Sequence, residues 1–456
     1  VSALSVELTG EGTIYYTLDC EDPTKSGRQY QGPITVNKTT VIRCYAVAAG
    51  KQKSDTVDLS YIINENDELE TVSLVTTPAN LFDYYTGIYE KGPNVSSSDP
   101  FPYEKANFFK DWEREASISL FPYEGEGFSI DCGIKIFGGY SRALEKKSFA
   151  CFFRSKYGAG SLDYSVFGED GLDSFESIIL RNTGQDATKS NMRDAMLAEV
   201  VSDMTDVDVQ ASRPIVLYIN GEFWGVYFIR EKVNENYVAG HQNVKKSQAK
   251  VDYASGTRTP EYTELISYVK SHSLAATENY NYVAARVDID EYTDYIIAEI
   301  CMANTDNGNI KFGKAEGGKW RWIMYDVDQS FRNSADKTIS EHLNPNGTGS
   351  GNRFPTTLIN ALLKNSSYKE KFLKRFAWQM NNIWTPEHIL PYIDKYENLI
   401  AHDIKKDCKK YGRTYENWQS HVESLRKFIN NRGENLRSQV KSYFNLSDSD
   451  MKKYGF

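Results

Sequence analysis

The sequence predicts a small all-β segment followed by a larger α+β body that ends in helices. Residues 1 to about 62 hold short runs rich in β-branched and aromatic residues, separated by turn clusters. Farther on, apolar strand-like runs alternate with 3.6-periodic stretches, and the last hundred residues are periodic almost throughout. Composition agrees: 456 residues, 40% hydrophobic and 25% charged, suit an ordinary globular protein with a large core. A net charge of −9 argues against general nucleic-acid binding. No apolar run approaches the roughly 18 residues of a membrane span. The chain opens without Met or a charged segment ahead of an apolar one, so a mature or trimmed fragment is expected.

In chain order, Thr13–Leu18 and Thr40–Ala46 read as strands, with turns at Asp22-Pro23, Gly32-Pro33 and Asn37-Lys38. Cys20 and Cys44 fall in this segment, either as a disulfide that props up a small core or as two buried thiols. The acidic stretch Glu65–Glu70 reads as a linker. Phe128–Phe137 and Lys147–Phe153 are strand-like. Asn191–Met204 is helical, with Met192, Met196, Val200 and Met204 on one stripe. Pro214–Ile219 and Phe223–Ile229 flank Asn220-Gly221, the strongest hairpin signal in the chain. A helix over Glu291–Ala303 opens with Asp288 and Glu291 at capping-box spacing, and Ser367 with Glu370 marks another. Tyr415, Trp418, Val422, Leu425, Ile429, Leu436 and Val440 form the apolar stripe of a long C-terminal helix.

Chemistry concentrates between Asn304 and Phe331. This run reads as helix end, loop, strand, turn at Gly317-Gly318, strand, acidic end. A hairpin symmetric about that turn makes Asn309 and Asp326 cross-strand neighbours, with Cβ atoms roughly 5 Å apart. Asp306 precedes Asn309 on the same loop, and Asp328 follows Asp326 by two residues. Hard oxygen ligands of this kind suit Mg²⁺ with phosphates, and the absence of CxxC and HExxH speaks against zinc. The alternative is a polar loop whose carboxylates are solvated or paired to lysine. Arg193 falls in the first turn of a helix, where a cation opposes the macrodipole. Either a bound phosphate or a salt bridge to Asp186 or Asp194 would offset that.

The run NTDNGNI…KWRWIMYDVDQSF resembles the signature of the CotH family, the spore-coat-type atypical protein kinases. GGYSRALEKKSFACFFRSKYG, LRNTGQD, MRDAMLAEVV and RPIVLYINGEFWGVYFIREKVNENY also match the order and spacing of that family, over about residues 71–445. The resemblance implies a kinase-like α+β core over 71–355 with a helical C-terminal part over 356–456. It gives Asp306 the place of the catalytic aspartate and Asn309 that of the metal-binding loop asparagine. Asp326 takes the place of the second metal ligand, with Asp328 in support. Lys147 is the implied phosphate-binding lysine. Arg142, on the glycine-bearing turn ahead of it, is expected either over the phosphates or on a simple β-turn. Glu231, in the REK pattern, is expected to pair with Lys147, to face the nucleotide, or to be a surface charge at a strand end. ATP and Mg²⁺ are the implied cofactors.

The N-terminal phrase YYTLDCEDPTKSGRQYQGPITV, followed by KTTVIRCYA, resembles the small β-sandwich appended to chitobiases and other secreted bacterial enzymes. That places a module at 1–62 and the linker at 63–70. The family usually has Gly where Cys20 stands and a small residue where Cys44 stands. Two departures in matching strands support a Cys20–Cys44 disulfide. The implied function is Mg²⁺-dependent transfer of the ATP γ-phosphoryl group to a protein hydroxyl, Ser or Thr. The location is extracellular or at the cell surface, with a cell-surface or carbohydrate-associated partner for the module. Two alternatives stand beside it: a degenerate kinase fold used for binding or surface assembly, and a metal-dependent hydrolase of carbohydrate or phosphoester.

Overall fold

A computed structural model describes residues 3–254, 258–306, 309–347 and 355–456. The chain divides into two compact units, one of residues 1–184, 212–230 and 399–415, the other of 185–211, 231–398 and 416–456. The expected α+β class is what forms.

The first unit opens with two small sheets. Leu4–Val6 pairs antiparallel with Ile34–Val36. The strands Arg28–Gln29, Thr13–Thr17, Thr40–Val47 and Val57–Tyr61 make a four-stranded sheet in that order. Val6, Ile34, Val36, Ile42, Cys44 and Ile63 form the core of this module. The expected disulfide does not form, because all six cysteines are free thiols. Side chains alternate between the two faces of a strand. In Thr40–Val47, Cys44 shares the face of Ile42 and enters the module core, whereas Cys20 packs against Val41 and Val75. The two sulfurs therefore lie on opposite sides of one sheet. Burial pushes the Cys20 thiol up to about 12, so it stays an inert S–H group, directed at the Asn220 carbonyl.

Seven strands then close a barrel in the order Ser148–Phe152, Ser177–Arg181, Glu222–Glu231, Ser212–Ile219, Thr71–Val75, Arg114–Phe121, Ser129–Phe137. The Asn-Gly hairpin forms as expected: Asn220 (φ 53°) and Gly221 (φ 81°) supply the two positive φ values of the turn. Ser212–Ile219 also runs parallel to Thr71–Val75, a pairing between segments far apart in sequence. The module and the barrel join within this unit through Asp58 and the Ser117 hydroxyl, Arg43 and Thr77, and the paired hydroxyls of Ser60 and Ser73. The acidic stretch is tied down. Lys406 pairs with Glu65 at 2.7 Å, and Asp403 accepts the Glu68 and Leu69 N–H groups.

The second unit holds a four-stranded sheet, ordered Asp208–Val209, Arg321–Met324, Lys311–Ala315, Ala249–Tyr253, with helices around it. The helix Arg193–Met204 buries Met196 and Val200 of the expected stripe, Met192 is buried just ahead of it, and Met204 at its end is only half-buried. The helix Ile289–Met302 is capped by Asp288, which accepts the Glu291 N–H, but the reciprocal half of the capping box is missing. Glu291 instead accepts the Trp322 N–H, because it is buried under the neighbouring strand. The helix Ser366–Asn382 is capped by Asn365 rather than Ser367, since the Asn365 side chain reaches the Tyr368 N–H. The long helix Tyr415–Phe444 buries Trp418, Val422, Leu425, Ile429, Leu436 and Val440, as the spacing predicts, whereas Tyr415 in its first turn is only half-buried.

Candidate active site

The loop after helix Ile289–Met302 and the strand pair Lys311–Ala315 and Arg321–Met324 build the acidic site of the second unit. The hairpin register pairs Lys311 with Ile323, Phe312 with Trp322 and Gly313 with Arg321. Continued outward, it sets Tyr325 opposite Asn309, one residue away from the symmetric expectation. The expected contact forms even so. Asp326 has φ 59°, a left-handed conformation rare for a non-glycine residue, and this turns its carboxylate toward the loop. Asn309 Nδ2 donates to Asp326 Oδ2 at 2.7 Å and to Asp306 Oδ2 at 3.1 Å. One amide thus links the two carboxylates. Residues 307 and 308, between Asp306 and Asn309, lie outside the described residues.

Asp328 is buried, and its Oδ2 accepts the Gln185 N–H at 2.9 Å. Asp194 accepts the Val327 N–H between the two acidic residues. Arg193, 3% exposed, lies against Asp186 at 3.4 Å. Asp186 also accepts the N–H groups of Ser190, Met192 and Arg193, so a carboxylate of the chain itself occupies this helix N-terminus. The Nε and Nη1 atoms of Arg193 have no hydrogen-bond partner among the described residues. Lys189 lies nearby, and its pKa is lowered by burial and by the positive charges of Arg332 and Arg193, against the pull of Asp186 and Asp328. Lys189 and Arg332 carry no sequence signal beyond their charge and were missed for that reason.

Glu231 is buried with its carboxylate on His241 (2.8 Å) and the Ala211 N–H (2.9 Å). The partner of this glutamate is a histidine rather than Lys147, and its burial overturns the surface-charge alternative. In the first unit Lys147 Nζ donates to the carbonyls of Arg142 (2.8 Å) and Leu144 (2.6 Å). Burial lowers its pKa to about 8. Arg142 itself holds the Gly138 and Phe108 carbonyls. The preceding Lys146 forms the ion pair of this stretch, with Asp407 at 2.6 Å.

Among the described residues no group of three or more His, Cys, Asp or Glu is arranged to hold a metal by itself. The Asp326 carboxylate and the Asn309 side-chain oxygen are nevertheless hard donors of the kind Mg²⁺ takes when substrate phosphates complete its shell. Residues 134–436 match the CotH kinase protein family. The chain belongs to the CotH kinase family. Membership suggests a kinase that uses ATP, in keeping with the resemblance of the acidic hairpin. Residues 1–58 match the chitobiase/beta-hexosaminidase C-terminal domain. No curated protein matches the chain. No helix among the described residues is long and apolar enough to cross a membrane.

Proposed function

We propose that this CotH kinase transfers the γ-phosphoryl group of Mg²⁺-bound ATP to a Ser or Thr hydroxyl of a protein. The observation that carries the reading is Asn309 Nδ2 bonded at once to Asp306 and Asp326. The acceptor oxygen bonds to the γ-phosphorus, the bond from that phosphorus to the β–γ bridging oxygen breaks, and ADP leaves. Asp306 orients the acceptor hydroxyl and takes its proton. Asp326 and Asn309 would hold Mg²⁺, which supplies charge neutralisation at the phosphates, with Asp328 in support. Arg193 is buried against Asp186, and its Nε has no hydrogen-bond partner among the described residues, so an anion contact through Nε belongs to the proposal. A location at the cell surface, with the N-terminal module on a surface or carbohydrate partner, belongs to the same proposal.

Mass spectrometry of the protein after incubation with Mg²⁺-ATP and Ser/Thr-containing acceptor proteins tests this. Phosphoprotein is expected, and none when EDTA is present. Intact ATP and no phosphoprotein would favour the degenerate fold, whereas free phosphate without phosphoprotein would favour the hydrolase. Lys147 is a proposed phosphate contact on the resemblance alone, and Arg142 on its glycine-bearing turn. Lys147→Met is expected to raise KM for ATP by about tenfold, near 1.4 kcal/mol. Unchanged kinetics would leave Lys147 the role that its two carbonyl bonds already describe.

A further inference from the structure

The helix Ile289–Met302 is buried along nearly its whole length, yet it carries a glutamate in its last turn. Glu299 is 1% exposed. Its Oε2 accepts from Asn304 Nδ2 at 2.7 Å, and it is also hydrogen-bonded to the Tyr295 hydroxyl. Asn304 is held at four points. Its N–H donates to the Glu299 carbonyl, its side-chain amide to the Glu299 carboxylate, and its carbonyl accepts from His342 Nε2 at 3.0 Å. Its side-chain oxygen accepts the Asp306 N–H at 3.0 Å. Ala303, in the left-handed conformation (φ 55°), turns the chain so that these contacts close. Arg432 fixes the same helix end by donating to the Ile300 and Cys301 carbonyls.

We infer that Glu299 is the positioning residue of the phosphotransfer loop, acting through the Asn304 side chain to set the orientation of Asp306. The inference rests on the proposed role of Asp306. An apolar residue would suit packing at position 299 better, because burying a carboxylate at a helix C-terminus opposes both solvation and the macrodipole. The carboxylate is matched instead to its donors, the Asn304 amide and the Tyr295 hydroxyl. Asn304 in turn spends its side-chain oxygen on Asp306. The charged and titratable groups around Glu299 are Tyr295 on its own helix and Asp306 on the loop, with His342 and Arg432 at the helix end. Burial first, then the Asp306 charge, push the Glu299 pKa up to about 7 against the Asn304 and Tyr295 hydrogen bonds. Burial holds His342 down at about 3, so it stays neutral.

The sign of the linkage separates positioning from support. A carboxyl whose pKa is raised in the folded state binds more protons there than in the unfolded chain. The stability it confers therefore falls as pH rises from its ordinary value, about 4.5, through about 7. Glu299→Gln keeps the shape but removes the charge that strengthens the Asn304 bond, and its NH2 end, turned toward the Asn304 NH2, breaks that bond. Its Tm is expected to match the parent near pH 5 and to equal or exceed it at pH 8. Its kcat for phosphotransfer should fall on the order of 10²-fold with Mg²⁺-ATP affinity little changed, since small misplacements of a catalytic group cost that much. Glu299→Asp should restore part of the rate. Asn304→Ala should reproduce the loss, and the double variant should be no worse than the worse single, because both act through one link.

Hydrogen–deuterium exchange over residues 303–306 gives a readout independent of activity, with faster exchange expected in both single variants. Parental kcat in Glu299→Gln overturns the inference. So does a loss of rate that comes with a lower Tm at every pH and weakened Mg²⁺-ATP binding, the pattern of a structural residue. If the parent transfers no phosphate, it is the reading of the site that has failed. Exchange at 303–306 then decides alone whether Glu299 governs Asp306, and unaltered exchange overturns the link.

Discussion

Asp306→Asn is expected to lower phosphotransfer by 10²- to 10⁴-fold, roughly the range for loss of a general base, while Mg²⁺-ATP binds close to the parental affinity. The substitution keeps the size of the side chain and an acceptor for Asn309 Nδ2, so the loop geometry survives. It removes the group that takes the acceptor proton. Asp326→Asn should behave differently. It removes a charge from the proposed metal site, so Mg²⁺-dependent nucleotide binding should weaken by at least about tenfold, near 1.4 kcal/mol, together with transfer. Calorimetric titration of both variants with Mg²⁺-ATP, beside a phosphorylation assay, checks the pair. Normal transfer by Asp306→Asn, or parental binding by Asp326→Asn, would show the roles to be misassigned. A binding defect in Asp328→Asn alone would move the metal ligand two residues along the chain.

The largest stability effect is expected at Asp407. Its carboxylate accepts from Lys146 Nζ (2.6 Å), the Val226 N–H (2.9 Å) and Arg413 Nη2 (2.6 Å), and it is fully buried. The site is packed so closely that a Cβ on Gly225 would come within 2.4 Å of Asp407 Oδ2. Asp407→Ala leaves the Lys146 ammonium and the Arg413 guanidinium without their anion. Breaking a buried pair in this way costs about 3–5 kcal/mol. Burial already lowers the Lys146 pKa against the opposing pull of Asp407, so without its partner the ammonium should shed its proton. Lys146→Met should cost less, because Asp407 keeps Arg413 and the Val226 N–H. The double variant Lys146→Met/Asp407→Leu is expected to recover only part of the loss, because Arg413 and the Val226 N–H still lack their acceptor. Urea unfolding monitored by tryptophan fluorescence measures all three. Equal midpoints for Asp407→Ala and the parent would show that the network contributes nothing.

Both predictions depend on features that differ in how far the sequence reveals them. The Asp306, Asn309 and Asp326 constellation was legible because it is built within some twenty residues, on one hairpin whose glycine turn marks its centre. Even there the register was shifted by one residue, and the contact depends on the positive φ of Asp326, a conformation aspartate tolerates but that no turn pattern marks at this position. The helices from Arg193 and Ile289 and the long C-terminal one were legible for the same reason, since their stripes are local. Glu299 carried a faint signal, a lone carboxylate in the apolar run Tyr295–Met302, but its partner Asn304 carried none.

The sequence by itself determined the order of the elements, the Asn220-Gly221 turn and the acidic hairpin, because each rests on interactions between near neighbours along the chain. Tertiary structure decided the rest. It closed the barrel by laying Thr71–Val75 beside Ser212–Ile219, and it sent Cys20 and Cys44 to opposite faces of one sheet. It also chose between two adjacent lysines, giving Lys146 a carboxylate 261 residues away and Lys147 the carbonyls of its own turn. A buried charge takes whichever partner the packing brings within reach, and that partner's distance along the chain leaves no local pattern to read.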